Sequence, residues 1–184
     1  ASLQDVIRQW DQTNTGGYSN FADFSVFQMN DTHPTIAVAE LMRILMDDKQ
    51  LSWDQAWKIT TRTMAYTNHT LLPVALDRWS VRMFVKLLPW LLVIIYEINA
   101  RFLKQVAQKW PGDIARQRRM SIIEEGPEKS VRMAYLAIVG SFSVNGVAAL
   151  HSKLLIQGLV RDFYELWPDE WSNKTSGGTP RGGG

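Results

Sequence analysis

The sequence has 184 residues, of which 46% are hydrophobic and 21% are charged. This balance is typical of a folded globular protein with a sizeable core. The formal net charge of +2 is too small to favour nucleic acid or an acidic membrane surface as a partner. Because cysteine is absent, disulfides, thiolate catalysis and cysteine-based zinc sites are excluded. The most apolar run, residues 87–95, is shorter than the roughly 20 residues that a membrane-spanning helix needs.

The first third of the chain predicts three helices and one strand. Apolar residues at helical spacing predict a short helix over residues 2–10. The β-prone run 24–29 predicts a strand. Pro34 suits the first turn of a helix that ends near residues 47–48. Ser52 is a suitable N-cap for the next helix, because its hydroxyl can accept a hydrogen bond from a free backbone N–H.

The remainder of the chain is also predicted to be mostly helical. The basic cluster at 116–119 is interpreted as a solvated helix face. The β-prone runs 121–125 and 132–139 predict short strands. Helices are predicted over residues 81–88, 90–110, 145–157 and 161–166.

Together these elements predict a mainly α fold, a single compact helical domain with a few short β-strands. The predicted domain covers residues 1–174. The last stretch, 175–184, contains no core residue, so we expect a flexible Gly-rich tail.

Several short motifs follow one another in a distinctive order. They are MNDTHPT at 29–35, AYTNHT at 65–70, IIYEINARF at 94–102, RRMSIIEE at 118–125, GSFSVNGVAALHS at 140–152 and DFYELWP at 162–168. In this order and at this spacing, the motifs resemble the middle of an α-glucan phosphorylase, the family that acts on glycogen, starch or maltodextrin.

The resemblance implies a specific chemistry. Such enzymes use pyridoxal phosphate, whose phosphate takes part in acid/base catalysis of glucan phosphorolysis. The lysine that holds this cofactor lies in a domain that begins about where this sequence stops. The resemblance therefore implies a cytoplasmic protein that binds no cofactor and is not active as a phosphorylase by itself. By matching motifs, His69 would hydrogen-bond the glucosyl unit, and Asp31 and His33 would line the pocket beside it.

The residues alone are less specific about this vestigial sugar site. Asp31, His33, Asn68 and His69 are polar groups beside apolar segments, and they can converge on a polyol. They can equally be structural, with Asp31 and Asn68 as helix caps and His33 as a half-buried imidazole. No two of the three histidines have helical ligand spacing, so we expect no metal site.

The departures from the family pattern share one direction. At five positions this sequence is apolar where the family usually is not. Val74 and Val93 stand where glutamate is usual, and Val85 stands where an acidic residue is usual. Trp90 stands where arginine is usual, and Phe142 where histidine is usual. In addition, Ser176 replaces the asparagine of the family's TNGxTPRR motif. Charged or imidazole groups have thus been exchanged for apolar ones, whereas a solubilised fragment would gain charge.

These departures suggest an engineered scaffold or binding protein with an introduced apolar patch, which would contact a protein partner or a second copy. On the predicted helix 90–110, Leu91 and Ile95 belong to a core-facing stripe, whereas Trp90 and Val93 point partly away from it. Four alternatives stay open from sequence: a fragment that forms one wall of the sugar site of a glycogen or starch phosphorylase, a repacked core, an apolar pocket for a small molecule, and a new enzyme. For a new enzyme, the candidate base or nucleophile is His69, His33 or Lys86.

Overall fold

The computed structural model describes residues 2–14, 16–30, 33–68, 77–146 and 159–168. Its α-helices are α1 (Leu3–Thr13), α2 (Phe21–Phe24), α3 (Ile36–Arg43), α4 (Trp53–Thr63), α5 (Val81–Leu87), α6 (Pro89–Lys109), α7 (Ile114–Met120), α8 (Met133–Val139) and α9 (Leu159–Leu166). A 3-10 turn, His33–Thr35, precedes α3, and a π-helical turn, Ile44–Asp48, follows it. The predicted mainly α fold with a few short strands is confirmed.

The strands form two small sheets. They are β1 (Phe27–Asn30), β2 (Met64–Asn68), β3 (Arg78–Ser80), β4 (Ile123–Glu124), β5 (Ser130–Arg132) and β6 (Ser143–Gly146). One sheet is parallel and has the strand order β1-β2-β6, whereas the other is antiparallel with the order β3-β5-β4. Parallel strands require long crossovers, and here α3 and α4 lie in the crossover from β1 to β2.

The parallel sheet presents one apolar row to the core. Met29 lies opposite Tyr66, which in turn lies opposite Val144, and all three are fully buried. The residues of β1 and β2 on either side of this row point to the other face and are small or polar, because side chains alternate along a strand. Gln28, for example, is exposed, and its amide nitrogen donates to Thr67 Oγ1 at 2.6 Å.

Local sequence signals explain where the helices begin. Ser52 caps α4 as predicted, with its Oγ accepting from the backbone N–H of Gln55 at 3.2 Å. The Gln55 side chain accepts from the Ser52 N–H at 3.1 Å, which completes a capping box. The predicted helix start at Pro34 lies inside the 3-10 turn that leads into α3.

The longest helix, α6, supplies a continuous core stripe. Leu91, Ile94, Ile95 and Ile98 are all buried, as the helical spacing predicts. Full burial of a side chain of this size contributes about 1.5–3 kcal/mol. This helix packs against α3, α5 and α7, and so connects both halves of the described core. No helix in the described ranges is both long and apolar enough to cross a membrane.

A buried asparagine ties α6 to the antiparallel sheet. Asn99 Nδ2 donates to Ser121 Oγ at 3.0 Å, and Asn99 Oδ1 accepts from the Ile122 N–H at 2.8 Å. Ser121 Oγ also accepts from the Ile123 N–H at 3.1 Å. Side-chain oxygens thereby satisfy both backbone donors where β4 begins.

Ion pairs join α9 to α7. Arg119 makes two hydrogen bonds to the Asp162 carboxylate, at 2.7 and 3.0 Å. Arg116 donates to Glu165 Oε2 at 2.7 Å, and its guanidinium lies 3.9 Å from the Trp110 ring centroid. The hydrogen bond from Arg116 holds the pKa of Glu165 below its ordinary value. The predicted solvated face is therefore wrong for Arg116, because its side chain is only 18% exposed and is paired with Glu165 on α9.

Several predicted boundaries were wrong for identifiable reasons. The predicted strand 132–139 is instead the helix α8, preceded by β5, because an unbroken apolar run does not distinguish the two structures. The predicted strand 24–29 starts later, at Phe27, since residues 21–24 form α2. The predicted helix 145–157 starts inside β6, and its residues from 147 onward lie outside the described ranges. The predicted tail also lies outside them.

We predict that Asn99→Leu lowers the free energy of unfolding by about 1–3 kcal/mol, because the Ser121 hydroxyl and the Ile122 N–H each lose a buried hydrogen bond. Urea unfolding followed by circular dichroism measures this change. Lys104→Ala, an exposed substitution on the same helix, should change stability by less than about 0.5 kcal/mol. Equal effects of the two substitutions would contradict a structural role for the asparagine.

Candidate functional site

The carboxyl ends of all three parallel strands meet at one edge. Asn30 at the end of β1 lies opposite Thr67, which lies opposite Asn145 on β6. One residue further, Asn68 lies opposite Gly146. In open parallel sheets, ligands bind in the crevice outside this edge, because the loops that leave the strands converge there. The edge is the candidate functional site.

Two residues of the predicted vestigial sugar site, Asn68 and His33, lie at or just after these strand ends. Asn68 is the last residue of β2, and His33 begins the 3-10 turn that follows β1. Asp31 follows Asn30 directly in sequence, and His69 follows Asn68 in the same way; both lie outside the described residues. The residues after Asn68 lie outside the described ranges, so the alternative in which Asn68 caps a helix stays a prediction.

Sequence reasoning missed one contributor to this edge. Asn145 was assigned to a helix, yet it lies in β6, in register with Thr67. The signal was present in the β-prone run that precedes it, which ends in an Asn-Gly pair typical of a strand end. A third strand thus delivers a polar residue to the same row as Asn30.

A buried hydroxyl lies just beyond β1. Thr35 is fully buried at the end of the 3-10 turn, and its Oγ1 has no hydrogen-bond partner among the described residues. An unpaired buried hydroxyl is unfavourable, which makes it unusual in a folded protein. The buried hydroxyl of Thr63 on α4, by contrast, is hydrogen-bonded, since its Oγ1 donates to the Ile59 carbonyl at 2.8 Å.

Three of the five apolar departures are exposed. Val85 on α5 is 58% exposed, and Trp90 and Val93 on the first turns of α6 are 52% and 69% exposed. Phe142 is half-buried just before β6, and its N–H donates to the Met64 carbonyl at 3.0 Å. Val74 lies outside the described residues. We refer to Val85, Trp90 and Val93 as the apolar patch.

An open cleft of about 710 Å³ lies between α4, α6 and the end of α9. The stacked rings of Trp53 and Trp57 line it, with centroids 6.3 Å apart. The Arg101 guanidinium lies 4.8 Å from the Trp53 ring centroid and pairs with Glu97 at 2.8 Å. The cleft is thus lined by aromatic rings, with Arg101 already paired, and the sequence analysis did not predict it.

The described residues do not fit a pyridoxal phosphate site. This cofactor is held through a lysine, but the lysines at 58, 86, 104, 109 and 129 are all exposed. Lys49 is half-buried and paired with Asp11 at 2.6 Å. Likewise, within the described ranges, no group of three or more histidine or acidic residues is placed to hold a metal ion.

Comparison with known proteins gives one consistent result. The family model described as carbohydrate phosphorylase matches residues 1–182. Glycogen phosphorylase 2 of Dictyostelium discoideum is 55% identical over 181 residues, which cover 98% of this chain and 18% of the relative. Glycogen phosphorylase of Synechocystis sp. is 58% identical over 98% of this chain and 21% of the relative. The human muscle form is 52% identical over 98% of this chain and 22% of the relative. The chain therefore spans about a fifth of the length of these curated relatives.

We predict that Thr35→Val keeps or raises the free energy of unfolding, because the hydroxyl it removes has no hydrogen-bond partner in the part of the chain that the structure describes. Thr63→Val should instead lower it by about 1 kcal/mol, since a buried hydrogen bond is lost. Chemical denaturation of both variants tests the difference. An equal loss in the two would mean that the Thr35 hydroxyl is hydrogen-bonded in solution.

Proposed function

The chain belongs to the carbohydrate phosphorylase family, and we propose that it supplies one wall of the site that holds the terminal glucosyl unit of an α-glucan. The observation that carries this proposal is the alignment of the three strand ends at Asn30, Asn68 and Gly146. A site built this way holds its polar groups on regular structure, so their spacing is set by the sheet register.

The residue types at this edge suit a polyol. Asparagine amides donate and accept hydrogen bonds at once, which matches a sugar hydroxyl. Asp31 adds a pure acceptor next to Asn30, and His69 adds a donor or acceptor next to Asn68. A few convergent polar groups of this kind fix the orientation of a small ligand.

We further propose that the chain by itself does not catalyse phosphorolysis. It spans about a fifth of its relatives' length, and its described lysines do not form a cofactor site. Its contribution would then be binding and orientation of the sugar, while the acid/base chemistry would depend on groups outside this chain.

A second candidate function rests on the apolar patch. Apolar residues replace charged ones at Val85, Trp90 and Val93, and all three are exposed. An exposed tryptophan beside aliphatic residues is typical of the centre of a protein–protein interface. The patch would thus be an introduced docking surface for a protein, as expected for an engineered binding scaffold.

Sugar binding tests the first proposal. We predict that His69→Ala weakens binding of maltoheptaose to this chain about tenfold, as expected for the loss of one good hydrogen bond. Chemical shift changes on titration with the sugar measure the affinity. His151→Ala is the matched control and should bind as the parent does. Adding orthophosphate should release no glucose 1-phosphate; absence of any maltoheptaose binding would overturn the proposal.

Association of the chain tests the second candidate. If the apolar patch is an interface, the double substitution Trp90→Arg and Val93→Glu should abolish binding of the partner or of a second copy. Sedimentation at several concentrations measures self-association, and circular dichroism should stay unchanged because both residues are exposed. Unfolding of the double variant would instead place these residues in the core.

A further inference from the structure

An open groove of about 500 Å³ borders the apolar patch. One wall is apolar and consists of Leu88, which follows α5, and Trp90 in the first turn of α6. The other wall is charged and includes Glu40 on α3 and Asp47 on the π-helical turn that follows it. The exposed tryptophan of the patch therefore has acidic side chains across the groove from it.

Asp47 supplies the unpaired charge of this groove. Glu40 is already engaged, because its carboxylate accepts two hydrogen bonds from the Arg43 guanidinium, at 2.6 and 3.2 Å. Asp47, in contrast, is exposed and forms no ion pair with any described residue. Since Glu40 and Arg43 neutralise each other, the groove keeps an excess of negative charge. A cation would be the complementary group.

The rest of the chain shows which cation suits a tryptophan beside a carboxylate. Twice, a tryptophan ring carries an arginine that is also paired with a carboxylate: Trp53 with Arg101 and Glu97, and Trp110 with Arg116 and Glu165. The guanidinium lies 4.8 Å from the ring centroid in the first set and 3.9 Å in the second. The negative face of the ring and the carboxylate both attract the planar guanidinium.

The groove at the apolar patch contains two members of the same set. Trp90 supplies the ring and Asp47 the carboxylate. Within the described ranges, the lysines and arginines that lie over aromatic rings do so at other rings, and Arg43 is held by Glu40. An arginine bound here would therefore come from another molecule.

We infer that this groove receives an arginine side chain of a protein partner, which stacks on Trp90 and pairs with Asp47. The inference rests on the second candidate function, in which the apolar patch is a docking surface. Tryptophan and arginine are the side chains most enriched among residues that dominate binding energies, and they tend to pair across interfaces. Aliphatic residues beside the partner's arginine would cover Val93 on the same helix.

The charge of the groove favours a different protein over a second copy of this chain as the occupant. A two-fold contact centred on the groove would place the same surface of both copies against itself. Both Asp47 carboxylates would then enter one interface, and like charges at close range are unfavourable. A partner with a basic side chain meets no such repulsion.

Two pentapeptides test this inference by NMR titration of the chain. One is acetyl-Ala-Leu-Arg-Leu-Ala-amide, and the other has neutral citrulline in place of arginine. The arginine peptide should bind at least about fivefold more tightly, because only its side chain carries the charge that the ring and the carboxylate attract. Asp47→Asn should weaken binding of the arginine peptide about fivefold and leave the citrulline peptide unchanged. Trp90→Leu should likewise reduce the preference for arginine.

Asp54→Asn is the matched control, because Asp54 is also an exposed carboxylate but lies on α4, outside the groove. It should leave both affinities unchanged, and circular dichroism confirms that each variant is folded. Equal binding of the two peptides, lost in the double substitution Trp90→Arg and Val93→Glu, would overturn the arginine and keep the patch as a docking surface. Binding of neither peptide overturns the inference, while sedimentation tests the patch separately. Self-association that Asp47→Asn weakens would make a second copy the occupant and overturn the choice of partner.

Discussion

The parallel register of β1, β2 and β6 is the constraint on which the rest of the structure depends. Because the strands run in one direction, each connection must return over the sheet, and helices α3 and α4 fill the first return. The fully buried row of Met29, Tyr66 and Val144 then fixes the face on which those helices pack. The same register aligns the polar row of Asn30, Thr67 and Asn145, so core and candidate site are set by a single pairing pattern.

The helix α6 links α3, which follows β1, to elements of the second half of the described chain. Its apolar stripe packs on α3 and α5, while Asn99 on the same helix satisfies the backbone at the start of β4. The ion pairs of α7 then hold α9 in place. Glu165 titrates below its ordinary pKa, so the stability from its pairing is present above the ordinary glutamate pKa and is lost as the pH falls through the lowered value.

Sequence reasoning succeeded where a local signal was decisive. The capping box at Ser52 and the stripe containing Leu91 and Ile95 follow from neighbours within a few residues. It failed where long-range pairing decides the outcome, as for β2, which follows α4 directly and was not predicted. The motifs indicated Asp31, His33, Asn68 and His69 as site residues, but only the strand register adds Asn145 to the same edge. An isolated sequence does not reveal which strands become neighbours.

The exposed apolar side chains on α6 require a different explanation from the buried ones. Leu91 and Ile95 turn inward because a helix repeats every 3.6 residues, and the same geometry turns Trp90 and Val93 outward. The two outward residues therefore cannot fill a gap in this core without rotating the helix and exposing its isoleucines. At about 25 cal/mol per Å² of apolar surface, such a rotation would be strongly unfavourable. Any burial of Trp90 and Val93 must come from another surface that covers them.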